Sequence, residues 1–121
     1  MIAIEKDKRC IDALKNTVLD SRFSLLEADA LGFDYKTLPC VPLKIISNLP
    51  YNISTILLID WLKIMSKFES FTLMFQKEVA ARLTAAPNTP DYGRLSVMCQ
   101  WKAHVKRLFD LPPGEIGRAH V

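Results

Sequence analysis

The chain has 121 residues, 50% of them apolar and 24% charged, a size and balance that fit one globular domain or part of one. Its 16 Lys and Arg against 13 Asp and Glu leave a net charge of +3, too little for a polybasic nucleic-acid binder and compatible with a local basic face. No apolar run approaches the roughly 18 residues of a membrane span, and the opening residues are charged rather than an apolar leader, so a cytoplasmic protein is expected. Cys10, Cys40 and Cys99 are scattered, with no Cys-x-x-Cys. Reduced, buried thiols are therefore expected, with neither a disulfide framework nor a metal site. His104 and His120 are too isolated to suggest metal binding or acid–base chemistry.

Met1-Ile2-Ala3-Ile4 reads as a short strand closed by Glu5. Asp7 can cap the helix that follows, whose Cys10, Ile11, Leu14 and Val18 share a face. A second strand is expected over Phe23 to Ala28, ending at Asp29. Gly32, Pro39 and Pro42 then punctuate a loop before a third strand from Leu43 to Ser47, ending at Asn48. Leu57, Trp61, Ile64, Met65 and Phe68 recur at helical spacing from Ser54 to Phe68, and Phe71 to Phe75 forms a fourth strand. Glu78 to Ala86 reads as a helix stopped by Pro87. Val97, Cys99, Trp101, Ala103 and Val105 alternate with polar residues, which predicts a fifth, half-exposed strand. Strands alternating with helices imply an α/β fold with a mostly parallel sheet covered on both faces.

Ligands of such sheets bind beyond the carboxyl ends of the strands, where this chain carries Glu5, Asp29, Asn48 and Gln76. Glu5 suits a ribose diol, because a carboxylate can accept from both hydroxyls, and equally suits a solvated strand-end charge. Asp29 suits the amino group of an adenine ring, or a loop cap. Asn48-Leu49-Pro50-Tyr51 is more informative. The Asn48 amide oxygen and the Pro50 carbonyl can each accept a proton from an exocyclic amine, while Tyr51 stacks on the base that carries it. Such a base must be unstacked to reach the site.

Glu5, Ala28-Asp29-Ala30-Leu31, Asn48-Leu49-Pro50-Tyr51-Asn52-Ile53-Ser54-Thr55, the segment from Phe75 to Leu83 and Tyr92-Gly93-Arg94-Leu95-Ser96-Val97 resemble the ribosomal RNA adenine dimethyltransferases. The likeness covers about residues 2 to 113 and is nearest the small-subunit, 16S-type branch. It implies a Rossmann-like class I S-adenosylmethionine-dependent methyltransferase core. Two adjacent adenosines of small-subunit ribosomal RNA, or of a pre-30S particle, would be the acceptors. Carried over residue by residue, it puts Glu5 on the donor ribose and Asp29 and Ala30 at the donor adenine. Asn48 stands beside both donor and target amino group, with Pro50 at that amine and Tyr51 on the target base. Lys77, Arg82, Arg94, Lys102, Lys106 and Arg107 could hold RNA phosphates. A monomer is expected at full length, without a metal. Methylation of large-subunit RNA or DNA adenine, and a non-catalytic RNA-binding assembly factor, are the alternatives.

The family opens with a glycine-rich strand-to-helix turn, and no Gly-x-Gly precedes Glu5. Leu111-Pro112-Pro113 resembles the start of a motif whose downstream aromatic covers the target base. Residues 1–113 are therefore read as a partial catalytic domain and 114–121 as a non-matching tail, in which Glu115 to Val121 resembles the translation of a common sequencing adapter. Alone, such a fragment is expected to be unstable or to aggregate, and to have little activity.

Overall fold

The computed structural model describes residues 1–112; the tail at 114–121 lies outside the described residues. The elements are β1 (Ile2–Glu5), α1 (Lys8–Thr17), β2 (Ser24–Glu27), β3 (Leu43–Asn48), α2 (Ser54–Leu62), β4 (Phe68–Met74), α3 (Lys77–Leu83) and α4 (Arg94–Lys102), with 3-10 turns at Tyr35–Thr37 and Met65–Lys67. Asp7 caps α1 as expected, its carboxylate accepting from the Arg9 N–H at 2.9 Å. The helix read from Ser54 to Phe68 stops earlier. It gives way after Lys63 to a 3-10 turn, and Phe68 instead opens β4.

The strands form two parallel pairs, β1 with β2 and β3 with β4, rather than one continuous sheet. Glu5 lies in register with Glu27 and Asn48 with Met74. Between the pairs contact is through side chains. Ile4 of β1 and Ile45 of β3 pack against one cluster formed by Tyr35, Leu49, Leu57, Trp61 and Phe68. Along β3, Leu43, Ile45 and Ser47 turn toward this core while Lys44, Ile46 and Asn48 are exposed, the alternation of a sheet covered on one face, where strands alternating with helices imply cover on both. Ile46 is 81% exposed, and Met74 of β4 also faces solvent. An apolar patch of this kind favours self-association.

The expected fifth strand is instead the helix α4. Of the alternating apolar residues, Val97 and Trp101 are exposed, Trp101 by 83%, whereas Cys99 is buried and Ala103 half-buried. Leu95, Cys99 and Ala103 recur every four residues and pack with Leu58, Leu62 and Leu83 in a second cluster. The four-residue spacing therefore wins over the coincident two-residue one.

Polar side chains of α4 fix its position. Ser96, fully buried, donates its hydroxyl to the Arg82 carbonyl and accepts from the Gly93 N–H at 3.1 Å. Gln100 donates to the carbonyls of Leu83 (3.0 Å) and Ala85 (2.8 Å). Carbonyls at and just past the end of α3 are thus taken up by the next helix, that of Arg82 alongside a long 3.5 Å bond from the Ala85 N–H. Ser96→Ala is expected to cost about 1 kcal/mol in a urea titration, because it takes the buried hydroxyl from the Arg82 carbonyl and leaves it only the longer bond from the Ala85 N–H.

Only one of the three thiols meets the expectation of burial. Cys10 and Cys40 are exposed and Cys99 is buried. Burial pushes the Cys99 thiol above its ordinary value of 9.0, disfavouring the reactive thiolate. A thiol reagent at pH 8 should modify Cys10 and Cys40 in the native protein and reach Cys99 only after denaturation; rapid native reaction at Cys99 would contradict this packing.

Candidate functional site

Within each parallel pair the two strands end on the same side, β1 beside β2 and β3 beside β4. At the end of β1, the Glu5 carboxylate folds back over the strand-to-helix turn, and its Oε1 accepts from the N–H groups of Lys6 and Asp7, both at 2.9 Å. Oε1 is thereby saturated, and Oε2 keeps two lone pairs with no partner among the described residues, enough for the two hydroxyls of a diol. The neighbouring strand is tied on by the Ala28 N–H, which donates to the Glu5 carbonyl at 3.0 Å.

Asp29 follows in a tight loop. Its Oδ1 accepts from the Leu31 N–H at 3.0 Å and its carbonyl from the Gly32 N–H at 3.1 Å, while Oδ2 lies 3.5 Å from the Lys6 ammonium. The Lys6 pair is exposed and so contributes little stability. It does link the Glu5 and Asp29 loops directly. Asp29 thus caps its own loop through Oδ1, and its Oδ2 meets only the exposed Lys6 ammonium. The Ala30 N–H has no partner among the described residues, and the Ala30 carbonyl accepts from the Tyr35 hydroxyl at 2.7 Å.

At the end of β3, Asn48 is exposed and its amide makes no hydrogen bond among the described residues. Leu49 is buried and anchors the turn. The Pro50 carbonyl accepts from the Ile53 N–H at 3.1 Å, so only one of its lone pairs remains for an incoming amine. Ser54, buried at the start of α2, donates its hydroxyl to the Tyr51 carbonyl at 3.3 Å. The Tyr51 ring is 72% exposed. It stands free of the core aromatics, a surface on which a base could stack.

The core cluster is the common floor of these loops. Ile4, next to Glu5, and Ala30, next to Asp29, both pack on it, and Leu49, between Asn48 and Pro50, is one of its members. Gln76, the fourth strand-end group, precedes α3 without capping it through its side chain. Two surface concavities, of about 370 and 260 Å³, are lined by none of these strand-end residues, though Lys102 borders the smaller.

Of the six cations read as phosphate contacts, Lys77, Arg82, Arg94, Lys102 and Lys106 are exposed. Arg107 is engaged by Asp110, whose oxygens lie 2.7 and 2.8 Å from its Nη2 and whose Oδ1 lies 3.0 Å from its Nε. An RNA phosphate would have to compete with that carboxylate. Sequence reasoning missed Lys6 and Tyr35. The signal for Tyr35 was faint: an aromatic pair, Phe33 and Tyr35, flanking a capping Asp34 in a segment otherwise read as loop.

Comparison with known proteins shows the family. The family model for ribosomal RNA adenine dimethylase matches residues 1–115. A ribosomal RNA small subunit methyltransferase A from Rhodospirillum rubrum is 51% identical over 115 residues, which cover 93% of this chain and 40% of that protein. Its counterpart from a Wolbachia of Brugia malayi is 48% identical over 118 residues, covering 95% of this chain and 45% of that protein. The crystal structure of a dimethyladenosine transferase from Plasmodium falciparum superimposes with a TM-score of 0.71 at 29% identity, over 82% of this chain and 36% of that one. The chain therefore spans less than half the length of these relatives. The α/β class and the Rossmann-like methyltransferase core are as the sequence implied, and the chain belongs to the ribosomal RNA adenine dimethylase family.

Proposed function

We propose that these residues form the donor- and target-binding part of an enzyme that dimethylates N6 of adenines in small-subunit ribosomal RNA. The observation that carries this reading is the set of unspent polar groups whose loops rest on one apolar floor: Glu5 Oε2, the Ala30 N–H and the Asn48 amide. Their chemistry fits S-adenosylmethionine and an adenine. Glu5 accepts from the ribose hydroxyls, and Asp29 and Ala30 frame the donor adenine. The donor supplies an electrophilic methyl group on a sulfonium.

The protein's part is placement. The Asn48 amide oxygen and the remaining lone pair of the Pro50 carbonyl accept the two protons of the target N6, which turns the nitrogen lone pair toward the methyl group. Tyr51 holds the unstacked base from one side. The nitrogen gains the methyl as the sulfur–carbon bond breaks, and the displaced proton passes to solvent. Lys77, Arg82, Arg94, Lys102 and Lys106 meet phosphates. Small-subunit RNA or a pre-30S particle in the cytoplasm is the partner.

The test uses the full gene product that carries this sequence, incubated with labelled S-adenosylmethionine and separately with undermethylated small-subunit particles, large-subunit RNA and DNA. N6,N6-dimethyladenosine in small-subunit RNA is expected. Label in either of the other nucleic acids alone would move the substrate, and RNA binding without transfer would replace the enzyme by an assembly factor.

A further inference from the structure

Tyr35 carries no assigned role toward donor or target, yet its side chain reaches the backbone of Ala30, one of the residues assigned to the donor adenine. It opens the 3-10 turn Tyr35–Thr37, which Asp34 caps through the Lys36 N–H at 3.1 Å. Its ring is buried in the core cluster, edge-on to Phe33 at 5.0 Å and to Trp61 of α2 at 5.9 Å between centroids. Packing of this kind asks only for an aromatic ring, and phenylalanine would supply it. The hydroxyl therefore needs a separate account.

That hydroxyl donates to the Ala30 carbonyl at 2.7 Å. The other bonds of the Asp29 loop are local turns from Leu31 and Gly32, the Ala28 N–H on the Glu5 carbonyl at its start, and one exposed ion pair with Lys6. The Tyr35 bond alone ties the middle of the loop to a ring locked in the core, and through Trp61 to the helix that follows Tyr51. Burial pushes the phenol above its ordinary value of 10.0, so it remains a donor at any pH at which the protein would work.

We infer that Tyr35 is a positioning residue for the methyl donor, holding Ala30 and with it Asp29 in the orientation that receives the donor adenine. The inference rests on the assignment of Asp29 and Ala30 made under the proposed function. A group that acts only on the donor loop changes donor affinity and leaves the chemical step and the RNA site alone.

The experiment compares wild-type full gene product with Tyr35→Phe, which keeps the ring. Donor KM, and the Kd of S-adenosylhomocysteine by calorimetry, should rise about three- to tenfold, in line with one lost hydrogen bond. The kcat and the KM for RNA should not change. Equal donor affinity in the two proteins overturns the inference while the methyl-transfer reading stands. A lowered melting temperature and reduced active fraction at unchanged donor KM overturns it too, leaving the hydroxyl a purely structural group. If the wild type binds no S-adenosylhomocysteine, the proposed function itself fails and the inference falls with it.

Discussion

Asn48→Ala should lower the rate of methyl transfer by roughly 100-fold, the usual cost of removing one preorganised hydrogen-bonding group from a reacting centre. The same change should leave the fold almost untouched. Asn48 is exposed at the end of β3 and its amide makes no bond to the protein among the described residues, so its removal should stay within about 0.5 kcal/mol of wild-type stability. That contrast separates a chemical role from a structural one. Asn48→Asp keeps an acceptor oxygen at the same place and should retain more activity than the alanine variant. Single-turnover transfer to undermethylated small-subunit particles, alongside urea titration of both variants, gives the comparison. Unchanged transfer by Asn48→Ala would remove this side chain from the mechanism and return Asn48-Leu49-Pro50-Tyr51 to the status of a proline turn.

Leu57→Ala is expected to have the opposite profile. Leu57 is 1% exposed and lies in the cluster on which the Glu5, Asp29 and Asn48 loops all rest. Truncation loses the transfer energy of the removed carbons and leaves a cavity between α2 and the aromatic core, together about 2–5 kcal/mol. Single domains have only about 5–15 kcal/mol to lose. The urea midpoint should therefore fall sharply with an unchanged slope, and activity should follow the folded fraction rather than any kinetic constant. Trp101→Ser is the matched control on a larger side chain: at 83% exposure it should shift stability by no more than about 0.5 kcal/mol. A Leu57 variant as stable as that control would mean that the cluster is not the floor of the site.

The contrast between these positions also bears on what could be read without a structure. The strand ends at Glu5 and Asn48 and the cap at Asp7 were legible because each is signalled locally, by a change from apolar to polar residues or by a capping side chain. α4 was not, since Val97, Cys99, Trp101, Ala103 and Val105 satisfy a two-residue period by accident. What makes the segment helical is tertiary: Cys99 and Ala103 face a cluster built from α2 and α3, and Ser96 and Gln100 answer carbonyls of α3. The division into two strand pairs was hidden for a similar reason, because periodicity reports strands and not their neighbours. In the site, the types and order of Glu5, Asp29, Asn48 and Tyr51 were visible. The occupation of one Pro50 lone pair by Ile53 and of Arg107 by Asp110 was not, as both depend on where the backbone turns. Tyr35 escaped because its partner is a backbone carbonyl, which has no signature in a sequence.

The grip of α4 on the end of α3 has a consequence for the segment between them. Ser96 and Gln100 hold the carbonyls of Arg82, Leu83 and Ala85 directly, so the relative placement of the two helices rests mainly on these contacts, with one long bond from Ser96 to the Asp91 carbonyl reaching into the connection. The connecting residues, from Ala86 to Asp91, are exposed and include Asn88 at a φ of 65°. Closing a longer connection costs only about 0.6 kcal/mol for each doubling of its length. The connection is therefore the place where the chain can accept inserted residues, a reporter peptide or an affinity tag among them, and where length can drift between relatives while the helices on either side stay in register.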